Sequence, residues 1–284
     1  MENTSYSHLS PIIGISIAVL LSIGCITIPK NLSKDWVPPV KHRTSAPVEA
    51  FALVQLEVSA VPTSCTGAKN EEDCDNILSE LPSASGAGSG SGMLVNSDLG
   101  PAVLTAAHVC EHDFPDQFEH DGITITIMTA TKITLKVPTK GVYTADIIRL
   151  DREKDLCLLR PSSVFTNPVP IAQNEPKMGD VVYSIGAPYG IAGAQMALIF
   201  RGFFSGVDKL TPTGQTVRFY TIPTRPGSSG SAVFNKNWEV VGVVHTAFRT
   251  LENVGLGTGL NDLKTFLFSP VEVEIITEQT DDGL

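Results

Sequence analysis

From residue 49 to residue 247 the apolar residues come in short runs rather than in long helical faces. The runs are 49–60, 91–96, 102–106, 123–128, 132–137, 142–150, 156–160, 181–186, 197–206, 216–222, 231–235 and 239–247. Each is rich in β-branched or aromatic side chains and is bounded by Gly, Pro, Asn or Asp. Runs of strand length with turn chemistry between them, and no sustained 3.6-residue period, predict an all-β barrel or sandwich. Hydrophobic residues make up 42% of the chain and charged residues 18%, enough apolar surface for a sizeable core and too much for global disorder. A single short helix is expected at Asp262–Phe268, where Leu263, Phe266 and Leu267 form an apolar face and Asn261 offers an N-cap.

The ends differ from this body. Residues 12–28 carry no charge, and Lys30, Lys34, Lys41 and Arg43 follow them with no Lys or Arg before. A run of this length is short for a membrane span and long for a signal-peptide core, so residues 1–29 are expected to be an N-terminal apolar helix that targets a membrane. Three forms stay open. The charge asymmetry favours a retained anchor with its N-terminus outside, a cleaved signal would normally carry positive charge before its apolar core, and the stretch ending at Cys25 resembles a lipoprotein processing site. Residues 30–48, rich in Pro, Lys and Ser, read as a linker, 49–268 as the folded domain and 269–284 as a short acidic tail. Within the domain, 62–90 reads as an insertion: a surface loop holding Cys65 and Cys74, which an oxidising compartment would let pair, then a Gly/Ser stretch open to reading as a linker or as entry into a strand.

Several function classes are excluded by composition. A net charge of −10 argues against nucleic acid as the partner, because phosphate binding needs clustered Lys and Arg. The chain has no phosphate-loop pattern, no H-E-x-x-H and no C-x-x-C, so nothing points to a metal or a cofactor.

What the chain does offer is the apparatus for activating a serine. A hydroxyl becomes a nucleophile when a base takes its proton, a third group orients the base, and donors await the oxyanion. His108 follows an apolar strand in L-T-A-A-H-V-C, Asp155 heads another in K-D-L-C-L-L-R, and Ser229 lies between Gly227 and Gly230 in P-G-S-S-G-S. Ser228 and Ser231 flank it, and Asp146, Asp151 and Glu153 compete with Asp155 as solvated turn residues.

These three blocks, in the order His, Asp, Ser, resemble the trypsin/chymotrypsin-fold serine endopeptidases, in particular the bacterial and viral branch with the glutamyl endopeptidases and HtrA-type proteases. The segments 178–190 and 203–207 are similar to that branch as well, and the resemblance covers roughly residues 50–268. It implies two six-stranded antiparallel β-barrels with the site between them. It implies His108 as general base and acid, Asp155 as its orienter, Ser229 as nucleophile and the amides of Gly227 and Ser229 as the oxyanion hole. The implied partner is a polypeptide substrate, with no cofactor. Sixteen residues follow Phe268, so the PDZ module of HtrA proteins is not expected. Cys110 and Cys157 read as small buried side chains rather than nucleophiles, and, as neighbours of the His and Asp motifs, they are open to pairing.

The resemblance also implies a specificity pocket. In glutamyl endopeptidases and viral 3C-type proteases, a Thr at the position of Thr224 and a His on the strand holding His245 contact an acidic or Gln side chain at P1. The register departs from those families: their His stands two residues after the strand glycine, and His245 stands three after Gly242. In a regular strand that offset turns the side chain to the other face, and a bulge would restore it. Two rival functions share the fold: a catalytically silent peptide-binding protein, and an esterase or amidase using the same triad.

Overall fold

The computed structural model describes residues 46–210, 214–248 and 251–268. The N-terminal apolar run, most of the linker and the acidic tail lie outside the described residues. No helix among the described residues is long and apolar enough to cross a membrane.

The first half of the domain is a sheet built from β1 (Phe51–Thr66), β2 (Ala84–Ser97), β3 (Gly100–Thr105), β4 (Gln117–His120), β5 (Ile123–Val137), β6 (Gly141–Asp151) and β7 (Leu156–Pro161). Its order is β1-β2-β3-β7-β6-β5-β4, and β1 also pairs with β5. That extra pairing joins the ends of the run β1-β2-β3-β7-β6-β5 into a ring of six strands, with β4 hung on the outer half of β5. The second half comprises β8 (Val181–Gly186), β9 (Leu198–Lys209), β10 (Thr216–Tyr220), β11 (Ala232–Phe234), β12 (Val240–Phe248) and β13 (Leu251–Thr258), which form a closed barrel in the order β10-β13-β12-β11-β8-β9. Every ladder pairing between these strands is antiparallel. The all-β expectation holds, as does the chymotrypsin-like pair of barrels.

Among the described residues three short α-helices accompany the strands: α1 (Glu71–Glu80), α2 (Ala107–Cys110) and α3 (Leu260–Phe268). α3 starts earlier than its sequence pattern suggests. Its first amide, Leu260 N–H, donates to Glu175 Oε1 at 3.0 Å, so a carboxylate from a distant loop lies at the start of the helix and Asn261 lies inside it. Leu263, Phe266 and Leu267 are buried as expected.

The segment 62–90 is not a loop. β1 continues to Thr66, still paired with β5 at Thr66↔Thr124, α1 follows, and β2 begins at Ala84. The Gly/Ser stretch pairs with β1 residue by residue, and at two places near its inner end only glycine fits. A Cβ on Gly90 would meet Val109 Cγ2 at 2.5 Å, and one on Gly92 would meet Val103 Cγ1 at 2.6 Å. Cys65 and Cys74 form a disulfide between the tip of β1 and α1. The two segments 123–128 and 132–137 are one strand, β5, and β4 and β13 have no counterpart among the expected runs.

Candidate active site

β3 and β7 are neighbours, paired as Val103↔Leu159, Leu104↔Leu158 and Thr105↔Cys157. Past the last rung, β3 leads into α2 and its His108, while Asp155 sits just ahead of β7. The two side chains meet there: His108 Nδ1 lies 2.8 Å from Asp155 Oδ2 and 3.0 Å from Oδ1. The His108 main-chain amide also donates to Asp155 Oδ1 at 3.0 Å. A carboxylate only accepts, so the ring proton is fixed on Nδ1 and Nε2 is left with a free lone pair. Of the rival carboxylates, Asp151 is occupied by Lys154, 3.3 Å away.

The electrostatics follow from this contact. The hydrogen bond to Asp155 raises the His108 pKa above the ordinary imidazole value; burial opposes the rise and the negative charge of Asp155 adds to it. Burial works hardest on Asp155 and pushes it up, but the bonds from the His108 ring and amide, with the charges of His108 and His245, outweigh it and leave the carboxyl below its usual range.

Ser229 is brought to the same place by the loop between β10 and β11. Its carbonyl accepts from Ser91 N–H at 2.7 Å and would sit 2.8 Å from a Cβ on Gly90, whose other flank is Val109, the neighbour of His108. The Ser229 hydroxyl is turned toward the His245 carbonyl, 3.4 Å away, and among the described residues it makes no bond to the His108 ring. Gly230 is pressed against the first barrel, since a Cβ there would meet Ser91 O at 2.0 Å and Thr105 Oγ1 at 2.2 Å at a φ of +85°. No side chain fits that approach.

The peptide planes of this turn are set from behind. Pro226 O accepts from Tyr189 N–H at 2.6 Å, which points the trans-related Gly227 N–H the opposite way. Ser228 O accepts from Ser231 N–H at 3.0 Å and does the same for Ser229 N–H. Ser228 N–H, Gly230 N–H and Ser231 N–H all have carbonyl partners, whereas among the described residues the amides of Gly227 and Ser229 have none. The turn thus leaves two amides unengaged, one on either side of Ser228. Gly227 has a φ of +91°, and a Cβ there would strike Ala187 O at 2.5 Å.

His245 lies on β12, where the pairing jumps from Val244↔Gly257 to Thr246↔Leu256. His245 is the extra residue of a β-bulge, the irregularity that its offset from Gly242 requires. It is buried; burial lowers its pKa, the charge of Asp155 opposes this and that of His108 adds to it. Thr224 is buried too, its hydroxyl donating to Ile222 O at 3.2 Å and packed where Gly255 lacks a Cβ. The structure therefore gathers His108, Asp155, Ser229 and His245 into one region and puts Thr224 against β13. Among the described residues no cluster of three or more His, Cys, Asp or Glu is placed to hold a metal.

The sequence pattern missed Ser91. It is fully buried, and its hydroxyl donates to Gly227 O at 2.8 Å while accepting from Ala187 N–H at 2.9 Å. Thr105 Oγ1 donates to its carbonyl at 2.8 Å. One serine of the first barrel thus holds both the turn before Ser229 and the loop behind it. Its only signal in the sequence is a hydroxyl among glycines where a strand pattern begins.

A family model described as a trypsin-like peptidase domain matches residues 90–243. The chain belongs to the trypsin-like peptidase family. By that membership it groups with the serine proteases, a class of hydrolases. Curated relatives include a probable periplasmic serine endoprotease, DegP-like, from Pseudomonas putida, 27% identical over 157 residues covering 54% of this chain and 28% of the relative. A protein with the same description from Rickettsia prowazekii is 30% identical over 141 residues, covering 46% of this chain and 26% of that one. The chain thus spans less than a third of the length of these relatives. Among solved structures, the active form of the Rv3671c protease from M. tuberculosis superposes with a TM-score of 0.53 at 16% identity, covering 81% of this chain and 86% of that one. That likeness is one of fold. In this trypsin-like peptidase the residues described above occupy the junction of the two barrels.

Proposed function

We propose that the chain is a serine endopeptidase in which His108, Asp155 and Ser229 form the catalytic triad and the amides of Gly227 and Ser229 the oxyanion hole. One observation carries this reading: a His–Asp pair with its free nitrogen turned away from the carboxylate, beside a serine turn whose two unengaged amides are those the chemistry needs. His108 Nε2 takes the Ser229 hydroxyl proton as Oγ attacks the peptide carbonyl. The carbonyl oxygen, now negative, sits between the two amides. His108 then hands the proton to the departing amine, and a water activated by the same nitrogen hydrolyses the acyl-enzyme. Losing one oxyanion donor raises the barrier by on the order of 3–4 kcal/mol.

The reading extends to specificity. Burial favours the neutral His245 imidazole, whose ring N–H is a donor suited to a carboxylate or a carboxamide; the Thr224 hydroxyl, which donates to Ile222 O, would have to release that bond to serve a substrate. We assign Glu or Gln at P1 to His245 with Thr224, supported by the bulge that singles out His245 on β12. The relatives' periplasmic description and two disulfides among the described residues support an exported protein, with residues 12–28 as its membrane-targeting segment.

The test is covalent labelling by a fluorophosphonate followed by digestion of a peptide library. Labelling of the parent and none of Ser229→Ala is expected. A folded parent that resists labelling points instead to a peptide-binding protein, and turnover confined to small esters points to an esterase. Enrichment of Glu or Gln at P1, reduced in His245→Ala, is expected of the library; an indifferent P1 rejects the specificity assignment.

A further inference from the structure

Neither member of the His108–Asp155 pair lies within a sheet. The β3–β7 ladder ends at Thr105↔Cys157, and the two chains then part. α2 has four residues and no side-chain cap, and Asp155 has a φ of 52°, a conformation that non-glycine residues seldom adopt. A single helical turn does not hold itself together in water. General-base catalysis nevertheless needs its groups held to within about 0.5 Å.

The missing constraint is covalent. Cys110, the last residue of α2, is bonded to Cys157, the residue on the last rung of the ladder, and both are buried. The sequence separation of the bridge is 47, as is that of the His108–Asp155 contact, because each cysteine follows its catalytic neighbour by the same offset. Segment 105–110 is thus closed on one residue: Thr105 is held to Cys157 by the ladder and Cys110 by the sulfur bond. His108 lies inside that closed segment. We propose that the Cys110–Cys157 disulfide is a positioning element of the active site, clamping α2 to the head of β7 so that His108 Nδ1 stays on the Asp155 carboxylate. The inference rests on the triad reading above. The Cys65–Cys74 bridge supplies the contrast: it ties the tip of β1 to α1, and none of the catalytic candidates lies on either element.

The experiment compares the full chain with Cys110→Ala/Cys157→Ala and Cys65→Ala/Cys74→Ala. Two quantities are read: kinetics on a cleaved peptide, and the titration of His108 by NMR of ¹⁵N-histidine-labelled protein in a Ser229→Ala background. Without the Cys110–Cys157 bridge, kcat/KM falls about 10- to 100-fold, carried by kcat. The His108 pKa drops toward the ordinary histidine value. The Cys65/Cys74 variant keeps both quantities. A bridge that only stabilises the fold lowers the unfolding midpoint and moves neither the titration nor kcat, and that result overturns the proposal. Should the variant not fold, the parent reduced with dithiothreitol, its free thiols counted by mass, gives the same titration; an unmoved His108 in the reduced chain is equally fatal. A parent that neither labels nor cleaves sinks the triad reading separately, because the NMR titration needs no turnover.

Discussion

As the proposed base, His108 can act only while its ring is neutral, and the hydrogen bond to Asp155 raises the pH at which that happens. Activity is therefore expected to rise with pH through an apparent pKa above the ordinary imidazole value of about 6.5. Asp155→Asn removes the bond and the charge that raise it and leaves burial, which lowers it. The acidic limb of the pH profile should move down, while kcat drops by ~10⁴ as the ring loses its tautomer. A limb that stays in place in Asp155→Asn is the contrary result. Stability responds with opposite signs at the two partners. The part due to His108 is present below its ordinary pKa and is lost as the pH rises through the raised one. The part due to Asp155 is present above the ordinary carboxyl range and is lost as the pH falls through the lowered value. At this scale the sequence was eloquent about His108, Asp155 and Ser229, because each stands in a strand-flanked motif whose residue types have few other uses together. It said less about His245. The facing of that side chain depends on a bulge created by β13, a strand the apolar pattern does not mark because Leu251–Thr258 is diluted by Glu, Asn and Gly.

Two short elements aim the unengaged amides proposed as the oxyanion hole, and each can be broken by one substitution. Gly227→Ala puts a methyl carbon 2.5 Å from Ala187 O at a φ of +91°, so the turn has to move and the Gly227 N–H moves with it. Steady-state kinetics should register a kcat about 10²- to 10³-fold lower at nearly constant KM; a matching loss in KM would mean the turn binds ground state and transition state alike. Ser91→Ala acts from the other barrel. It strands Gly227 O and Ala187 N–H, both now served by one hydroxyl. Two orphaned buried groups cost about 1–3 kcal/mol each, so chemical denaturation should show a fall of that order together with a lowered kcat. Unchanged stability would mean that other partners take up the two groups. The element level is also where composition decides least. A Gly/Ser run has linker composition, yet 84–92 is a strand paired along β1, and Val54, Val103 and Val109 crowd the places of Gly90 and Gly92 alone. Helix α1 carries no buried residue, so it leaves no apolar stripe to read. Its start is marked only by Asn70, whose side chain accepts from Asp73 N–H.

The two barrels share a core, and that decides how the molecule fails. One buried cluster runs from Phe51, Leu94 and Leu158 of the first sheet through Ile185, Phe234 and Val243 of the second to Leu263, Phe266 and Leu267 of α3. Inside the second barrel a smaller cluster around Tyr220, Val233 and Val241 stands apart. α3 follows the second barrel in the chain, yet Arg149 of β6 reaches it through the Phe266 carbonyl while pairing with Asp98 at 2.9 Å. The Leu267 carbonyl, in turn, accepts from Asp98 N–H at 3.0 Å. The C-terminal helix is thus a strap from the second barrel back onto the first, and the candidate site lies across the seam it closes. Leu263→Ala removes a fully buried side chain from that strap, at a cost of about 2–5 kcal/mol. Because the cluster is continuous, both barrels should lose stability together, in one transition at a lower denaturant midpoint. Trp238 fluorescence reports the second barrel and far-UV dichroism the whole sheet content, and the two curves should coincide. If Trp238 kept its parental midpoint while the dichroism shifted, the barrels would be unfolding independently. The seam that presents His108 and Asp155 to Ser229 would then owe nothing to the helix.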